Sequence, residues 1–229
     1  MATNETFDFR GPAGRLEAIL MRPEGPPVAA AVVCHAHPLH GGMMHFKVVF
    51  RAAKALQSAG LAVLRFNFRG IGRSEGAHDH GAGEQEDARA ALFEMEDRFP
   101  DLPLVLGGFS FGSAIALRVA ARDARVRAVF ALGFPLRMVD DRLSGASPLA
   151  RDEGRAPLGE VRQPRLFVQG ERDAFGGGEA LRVLVEPLPP PRELVVLPGA
   201  DHFFDGQLDA LQGAIADWAE RRPWDDFRP

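Results

Sequence analysis

Short apolar runs alternate with longer amphipathic stretches along most of the chain. The runs predict strands, namely AAAVVC, AVLRFNF, LVLGGF, VRAVFALGF, RLFVQG and ELVVLPG. Helices are predicted between them at about 44–58, 84–98, 111–121, 179–185 and 205–221. A run such as AAAVVC, apolar throughout, is typical of a parallel strand covered by helices on both faces. The pattern therefore predicts an α/β fold with a mostly parallel, doubly wound sheet of about eight strands.

The two ends of the chain add less regular pieces to this sheet. Alternating segments at 6–10 and 15–22 flank the turn GPAG and predict an antiparallel hairpin, with Phe7 and Phe9 on one face. The tail RRPWDDFRP is too short for a domain, and we expect Trp224 and Phe227 to dock on the surface.

One irregular stretch, 135–164, is polar with scattered glycine and proline and exceeds the usual connection length. It is interpreted either as a small lid or as a surface excursion. The 229 residues are enough for one sizeable core. We therefore expect a single domain over 1–229, with little or no cap.

Composition narrows the classes of partner. The net charge is -4 and the sequence has no basic run, so it offers no basic patch for a phosphate backbone. No nucleic acid partner is therefore expected. The start MATNETFDFR lacks the features of a signal peptide, and the longest apolar run is far below the roughly 20 residues of a membrane helix. We expect a cytoplasmic protein without a membrane partner. The oligomeric state is left open, a homodimer included.

A candidate nucleophile lies between a predicted strand and a predicted helix. Within LVLGGFSFGS, Gly108, Ser110 and Gly112 form a G-x-S-x-G pattern between an apolar strand and the helix pattern SAIALRVAA. A serine on such a tight turn is held above the sheet, and glycines two residues away let neighbouring backbone pass closely. The alternative interpretation is an ordinary serine N-cap.

A serine nucleophile needs a base and an acid from later strand ends. Asp173 follows RLFVQG, and His202 follows ELVVLPG, which gives the order Ser, Asp, His. Glu171 and Asp201 compete for the acid role, but Glu171 sits nearer the strand end, and Asp201 is adjacent to the histidine. Of the seven histidines, His202 alone follows the acid.

The histidine-rich turn CHAHPLHGGMMHF admits two interpretations. His35, His37 and His40 resemble the start of a zinc motif, but Leu39 fills the position of an expected acidic residue, so no metal is predicted. For a serine hydrolase, the turn after the first deep strand supplies an oxyanion donor. We predict the backbone N–H groups of His37 and Phe111 as the donors, with Leu39 as the alternative to His37.

Apolar side chains near these segments are candidates for substrate binding. Leu39, Met43, Met44 and Phe203 are predicted to line an apolar pocket.

With these residues placed, the chain resembles the α/β-hydrolase superfamily, and in particular small bacterial serine hydrolases with an HPHPLxGG turn. The matching segments are HAHPLHGG, GFSFGS, RFNFRGIGRSEG, GERD and GADHFF. Ala36 replaces the first proline of the related turn, and the donor position is kept. The resemblance implies hydrolysis of carboxylic esters through an acyl-enzyme, without metal or organic cofactor. The absence of a large helical cap favours short-chain or polymeric esters as substrates. Thioesterases and peptidases use the same triad, and an inactive binding scaffold is the alternative outside enzymes.

Overall fold

The computed structural model describes residues 1–136 and 158–227. Its centre is an eight-stranded sheet in the order β1-β2-β4-β3-β5-β6-β7-β8. The strands are β1 Thr3–Gly11, β2 Gly14–Arg22, β3 Ala29–Cys34, β4 Leu61–Phe66, β5 Leu104–Phe109, β6 Val126–Leu132, β7 Arg165–Gly170 and β8 Arg192–Leu197. Strands β3 to β8 pair in parallel, whereas β1 and β2 form an antiparallel hairpin that joins β4 antiparallel. This arrangement confirms the predicted α/β-hydrolase fold class.

Helices cover both faces of the sheet. Among the described residues they are α1 Lys47–Ser58, α2 Ala82–Arg98, α3 Phe111–Ala120, α4 Gly178–Val185 and α5 Leu208–Glu220. Helices α2, α3 and α4 pack into one apolar layer, and α1 and α5 pack into the other. Strand β3 is buried along its whole length because alternate residues enter opposite layers. The hairpin instead exposes one face, as its alternating sequence predicts.

The first helix begins three residues later than predicted. The Met44 N–H donates to Asn67 Oδ1 at 2.8 Å, and Arg65 Nη1 donates to the Met44 carbonyl at 2.6 Å. Both backbone groups of Met44 are therefore committed to side chains outside a helix, and α1 starts only at Lys47.

The C-terminal tail also differs from expectation. Trp224 is 1% exposed, and its ring lies 6.2 Å from that of Trp218 on α5 in an edge-to-face arrangement. Burial of the large ring against α5 outweighs the polar character of the tail sequence. The expectation of surface docking is wrong for Trp224.

The irregular stretch 135–164, interpreted either as a small lid or as a surface excursion, lies largely outside the described residues, because 137–157 are not among them. Within the ranges that are described, no helix is both long and apolar enough to cross a membrane.

Candidate active site

Ser110 occupies a strained turn between strand β5 and helix α3. Its φ of 54° and ψ of -121° place a non-glycine residue in a sparsely populated region. A Cβ on Gly108 would lie 2.5 Å from the Gly112 carbonyl carbon, and one on Gly112 would lie 2.4 Å from the His35 carbonyl oxygen. The two glycines thus let α3 approach β3 and β5 closely enough to hold the serine at the sheet edge.

The structure brings the predicted serine, histidine and aspartate together. His202 Nε2 lies 3.0 Å from Ser110 Oγ, and His202 Nδ1 lies 2.7 Å from Asp173 Oδ2. The Asp173 side chain is fully buried, that of His202 is 5% exposed, and Ser110 is half-buried. In this series of hydrogen bonds, a neutral His202 imidazole donates from Nδ1 to the Asp173 carboxylate and can accept the Ser110 proton at Nε2.

Asp173 is held by partners that the sequence did not reveal. Buried Gln169 donates from Nε2 to Asp173 Oδ2 at 3.0 Å, and the Phe175 N–H donates to Oδ1 at 2.8 Å. The same Gln169 Nε2 reaches the Gly176 carbonyl at 2.6 Å, and its Oε1 accepts from the Phe134 N–H at 2.8 Å. The carboxylate is therefore fixed on both oxygens.

The competing acids make other contacts. Glu171 is exposed, and its Oε2 accepts from the Gly199 N–H at 2.7 Å. Asp201 Oδ1 accepts from the N–H groups of Phe203 and Asp205, each at 3.0 Å, and so closes a local turn. Neither carboxylate contacts the His202 ring among the hydrogen bonds of the described residues.

The histidine-rich turn contacts the start of helix α3. The His37 ring lies 4.9 Å from that of Phe111, and the His37 carbonyl accepts from the N–H groups of His40 and Gly42, both at 3.0 Å. Phe111 is the first residue of α3, where helix geometry leaves the N–H without an intrahelical acceptor. The two predicted donor residues are thus neighbours in space.

His35 has a structural position in this turn. It is fully buried, and the Phe68 N–H donates to its Nε2 at 3.0 Å. Nδ1 therefore carries the proton and donates to the Ala36 carbonyl at 2.6 Å. Burial lowers the pKa of His35 to about 4, so the ring is neutral at pH 7.

Imidazoles cluster on the Phe111 side of the serine. The His37 ring lies 4.7 Å from that of His40 and 4.9 Å from that of His78, which in turn lies 5.1 Å from His80. Burial and then the neighbouring His78 and His40 lower the pKa of His37 to about 4, against an opposing effect of Glu84. In the part of the chain that the structure describes, no three histidine, cysteine or acidic side chains are arranged to hold a metal ion.

The predicted substrate-binding side chains do not share one environment. Leu39, Met43 and Phe203 are 63%, 43% and 42% exposed and are open to a ligand. Met44 is 1% exposed. The structure therefore places Met44 inside the protein, where its N–H donates to Asn67 and its carbonyl accepts from Arg65.

Phenyl rings surround His202. The rings of Phe175, Phe109 and Phe203 lie 4.4, 5.1 and 5.2 Å from the imidazole. Gly133 has a φ of +52°, and a Cβ at this position would lie 3.3 Å from His202 Cε1. The glycine therefore leaves room for the His202 ring. The sequence indicates Phe203, whereas Phe109 belongs to an apolar strand run that predicts only burial, and Phe175 lies in the glycine-rich loop after Asp173.

Comparisons with known proteins identify the family of the chain. A family model for the alpha/beta hydrolase domain matches residues 29–212. A solved alpha-beta serine hydrolase homologue from Coxiella burnetii is 39% identical, with a TM-score of 0.83 over 94% of this chain and 97% of that one. XC6422 from Xanthomonas campestris, a serine hydrolase without a lid, is 33% identical, with a TM-score of 0.81 over 99% and 97%. The esterase domain of a Rhodothermus marinus protein is 26% identical, with a TM-score of 0.72 over 96% and 98%. The chain therefore belongs to the alpha/beta hydrolase family.

Proposed function

We propose that this protein is a serine hydrolase that cleaves carboxylic esters, with short-chain or otherwise accessible acyl groups as substrates. The observation that carries the proposal is the continuous hydrogen-bonded chain from Ser110 Oγ through His202 to the buried Asp173 carboxylate. The solved serine hydrolases and the esterase domain that this chain resembles support the same class of reaction.

In the proposed first half-reaction, Ser110 Oγ attacks the ester carbonyl carbon while His202 Nε2 accepts the hydroxyl proton. Asp173 orients the imidazole and stabilises the imidazolium that forms. The C–O bond to the alcohol then breaks, and the proton on Nε2 passes to the departing oxygen. The products of this half-reaction are a free alcohol and an acyl-enzyme on Ser110.

In the second half-reaction, water attacks the acyl carbon and gives a proton to His202 Nε2. The bond from the acyl carbon to Ser110 Oγ breaks, and that proton returns to the serine. The backbone N–H groups of Phe111 and His37 are proposed to bind the carbonyl oxygen as it becomes negative in both halves. A donor of this kind contributes roughly 10²- to 10³-fold to the rate.

The test is hydrolysis of p-nitrophenyl acetate, butyrate and octanoate by wild type and Ser110→Ala, with and without EDTA. We expect EDTA-resistant turnover that falls by at least about 10³-fold in Ser110→Ala, because removing such a nucleophile abolishes the covalent route. Ser58→Ala, an exposed serine on α1, serves as the matched control and should retain full activity. Turnover that survives Ser110→Ala, or that EDTA removes, would refute the serine mechanism.

A further inference from the structure

Two chemically different surfaces flank Ser110. On one side, the Phe111 ring contacts the imidazoles of His37 and His78, at 4.9 and 5.9 Å. On the other side, the Phe109 ring lies 5.5 Å from Phe46 and 6.4 Å from Phe203. We call Phe46, Phe109 and Phe203 the phenyl surface.

The phenyl surface lies beside the base. The rings of Phe109 and Phe203 are 5.1 and 5.2 Å from the His202 imidazole, whose Nε2 is 3.0 Å from Ser110 Oγ. Phe46 stacks on Phe109 at an interplanar angle of 12° and lies 6.0 Å from Phe203. Phe109 is fully buried and Phe46 is half-buried, so Phe203, at 42% exposed, is the member of the phenyl surface that a ligand can reach.

In the proposed reaction, the departing oxygen and the carbonyl oxygen of the ester must point toward different groups of the protein. The departing oxygen must come within hydrogen-bond reach of His202 Nε2, roughly 2.6–3.2 Å, to take its proton. The carbonyl oxygen instead faces the N–H groups assigned to it, one of which belongs to Phe111, on the side of His37 and His78. The alcohol portion of the ester is therefore the portion that leaves past the phenyl surface.

We propose that the phenyl surface binds the alcohol portion of the ester, and that the enzyme selects esters of larger apolar or aromatic alcohols over those of methanol or ethanol. The proposal rests on the serine esterase function proposed above. In the step concerned, the C–O bond to this alcohol breaks, its electron pair stays on the oxygen, and the proton comes from His202 Nε2. Phe203 is the specificity-determining residue, because its partly exposed ring gains apolar contact when the alcohol portion is large.

The experiment varies the two halves of the ester separately. The alcohol series is ethyl, butyl, hexyl and benzyl acetate, and the acyl series is ethyl acetate, butyrate and hexanoate. The quantity measured is kcat/KM for each ester with wild type, Phe203→Leu and Phe203→Ala. We expect Phe203→Ala to lower the hexyl-to-ethyl acetate ratio about tenfold and to change the ethyl hexanoate-to-acetate ratio less than twofold. Phe203→Leu, which keeps an apolar side chain, should give an intermediate alcohol ratio.

Phe93→Ala is the matched control, since Phe93 is 66% exposed on α2 and lies over the Arg125 guanidinium rather than beside His202. Both ratios should stay at their wild-type values in this variant. A fall in the acyl ratio with an unchanged alcohol ratio would overturn the proposal, as would unchanged ratios in both Phe203 variants. Absence of ester turnover by wild type would refute the esterase function itself, which is a distinct result.

Discussion

At the residue scale, a buried carboxamide organises the acid of the candidate triad. Gln169 contacts Asp173 Oδ2, the Gly176 carbonyl and both backbone groups of Phe134, and it is fully buried. It therefore connects the loop that carries the acid to the segment after β6. A buried amide with its partners in place holds one geometry, because every alternative leaves polar groups unpaired.

We expect Gln169→Leu to lower kcat roughly 10- to 100-fold with little change in KM. The substitution removes a donor from Asp173 Oδ2 and frees the carboxylate that orients His202, which is needed in the transition state rather than for substrate binding. The measurement is steady-state kinetics on p-nitrophenyl butyrate, together with the thermal unfolding midpoint.

Gln163→Leu is the control for that experiment. Gln163 is also buried and donates from Nε2 to a backbone carbonyl, that of Ala120, at 2.7 Å. Its loss should lower the unfolding midpoint without lowering kcat. If Gln163→Leu lowers kcat as strongly as Gln169→Leu, the effect is one of general stability and the positioning role is refuted.

The sequence identifies some of these residues and not others for a physical reason. Ser110, Asp173 and His202 follow predicted strands, where the topology of a parallel sheet collects side chains at one edge. Gln169 lies inside the strand run RLFVQG, and its partners come from two places, the loop after its own strand and the segment after β6. Contacts of that kind depend on tertiary packing, which no local pattern records.

At the element scale, the approach of helix α3 to strand β3 determines where the serine is held. A Cβ on Gly112 would lie 2.4 Å from the His35 carbonyl oxygen and 2.5 Å from that of Cys34. Both contacts are with backbone, which cannot rotate away as a side chain can. The helix must therefore move if the glycine gains a side chain.

We expect Gly112→Ala to lower the free energy of unfolding by about 1–3 kcal/mol, as overpacking does, and to lower kcat by displacing Ser110. The control is Gly213→Ala on helix α5, where an added Cβ meets no atom within 4 Å. That variant should be more stable by up to about 1 kcal/mol, since alanine is the better helix former. Urea unfolding and ester kinetics check both. A stable, fully active Gly112→Ala would contradict the close packing described.

Element boundaries show the limits of periodicity. The existence and order of the helices and strands follow from apolar runs, but residues 44–46, which the pattern places in the first helix, lie before it. Asn67 and Arg65, more than twenty positions away, compete for the backbone of Met44. The surface position expected for Trp224 is wrong for a related reason, since its partner Trp218 belongs to a helix face that the tail sequence cannot indicate.

At the scale of the whole molecule, buried histidine links folding to pH. Burial lowers the pKa of His35 from 6.5 to about 4 in the folded chain. The folded value is the lower one, so the stabilisation from the neutral ring is present above pH 6.5 and is lost as the pH falls from 6.5 to 4. His37 shifts in the same direction but counts for less, because its ring is partly exposed.

We expect the free energy of unfolding to fall on the order of 3 kcal/mol between pH 6.5 and 4 through His35 alone, from a shift of about 2.5 pH units. The measurement is urea unfolding at intervals across this range with wild type and His35→Gln, whose side chain cannot take up the proton. The variant should be less stable at pH 7 but should lose less stability on acidification. Parallel pH profiles for the two proteins would show that His35 is not buried and neutral as described.

The three residues of the candidate triad follow three different strands, β5, β7 and β8, and Ser110 and His202 are 92 positions apart. The candidate triad is therefore assembled only when all three strands have paired in the sheet. Non-local pairing of this kind is slow to form, because distant segments lose conformational entropy when they meet, before their contacts stabilise the sheet. The recovery of activity during refolding should therefore follow the pairing of the last of these three strands with the sheet.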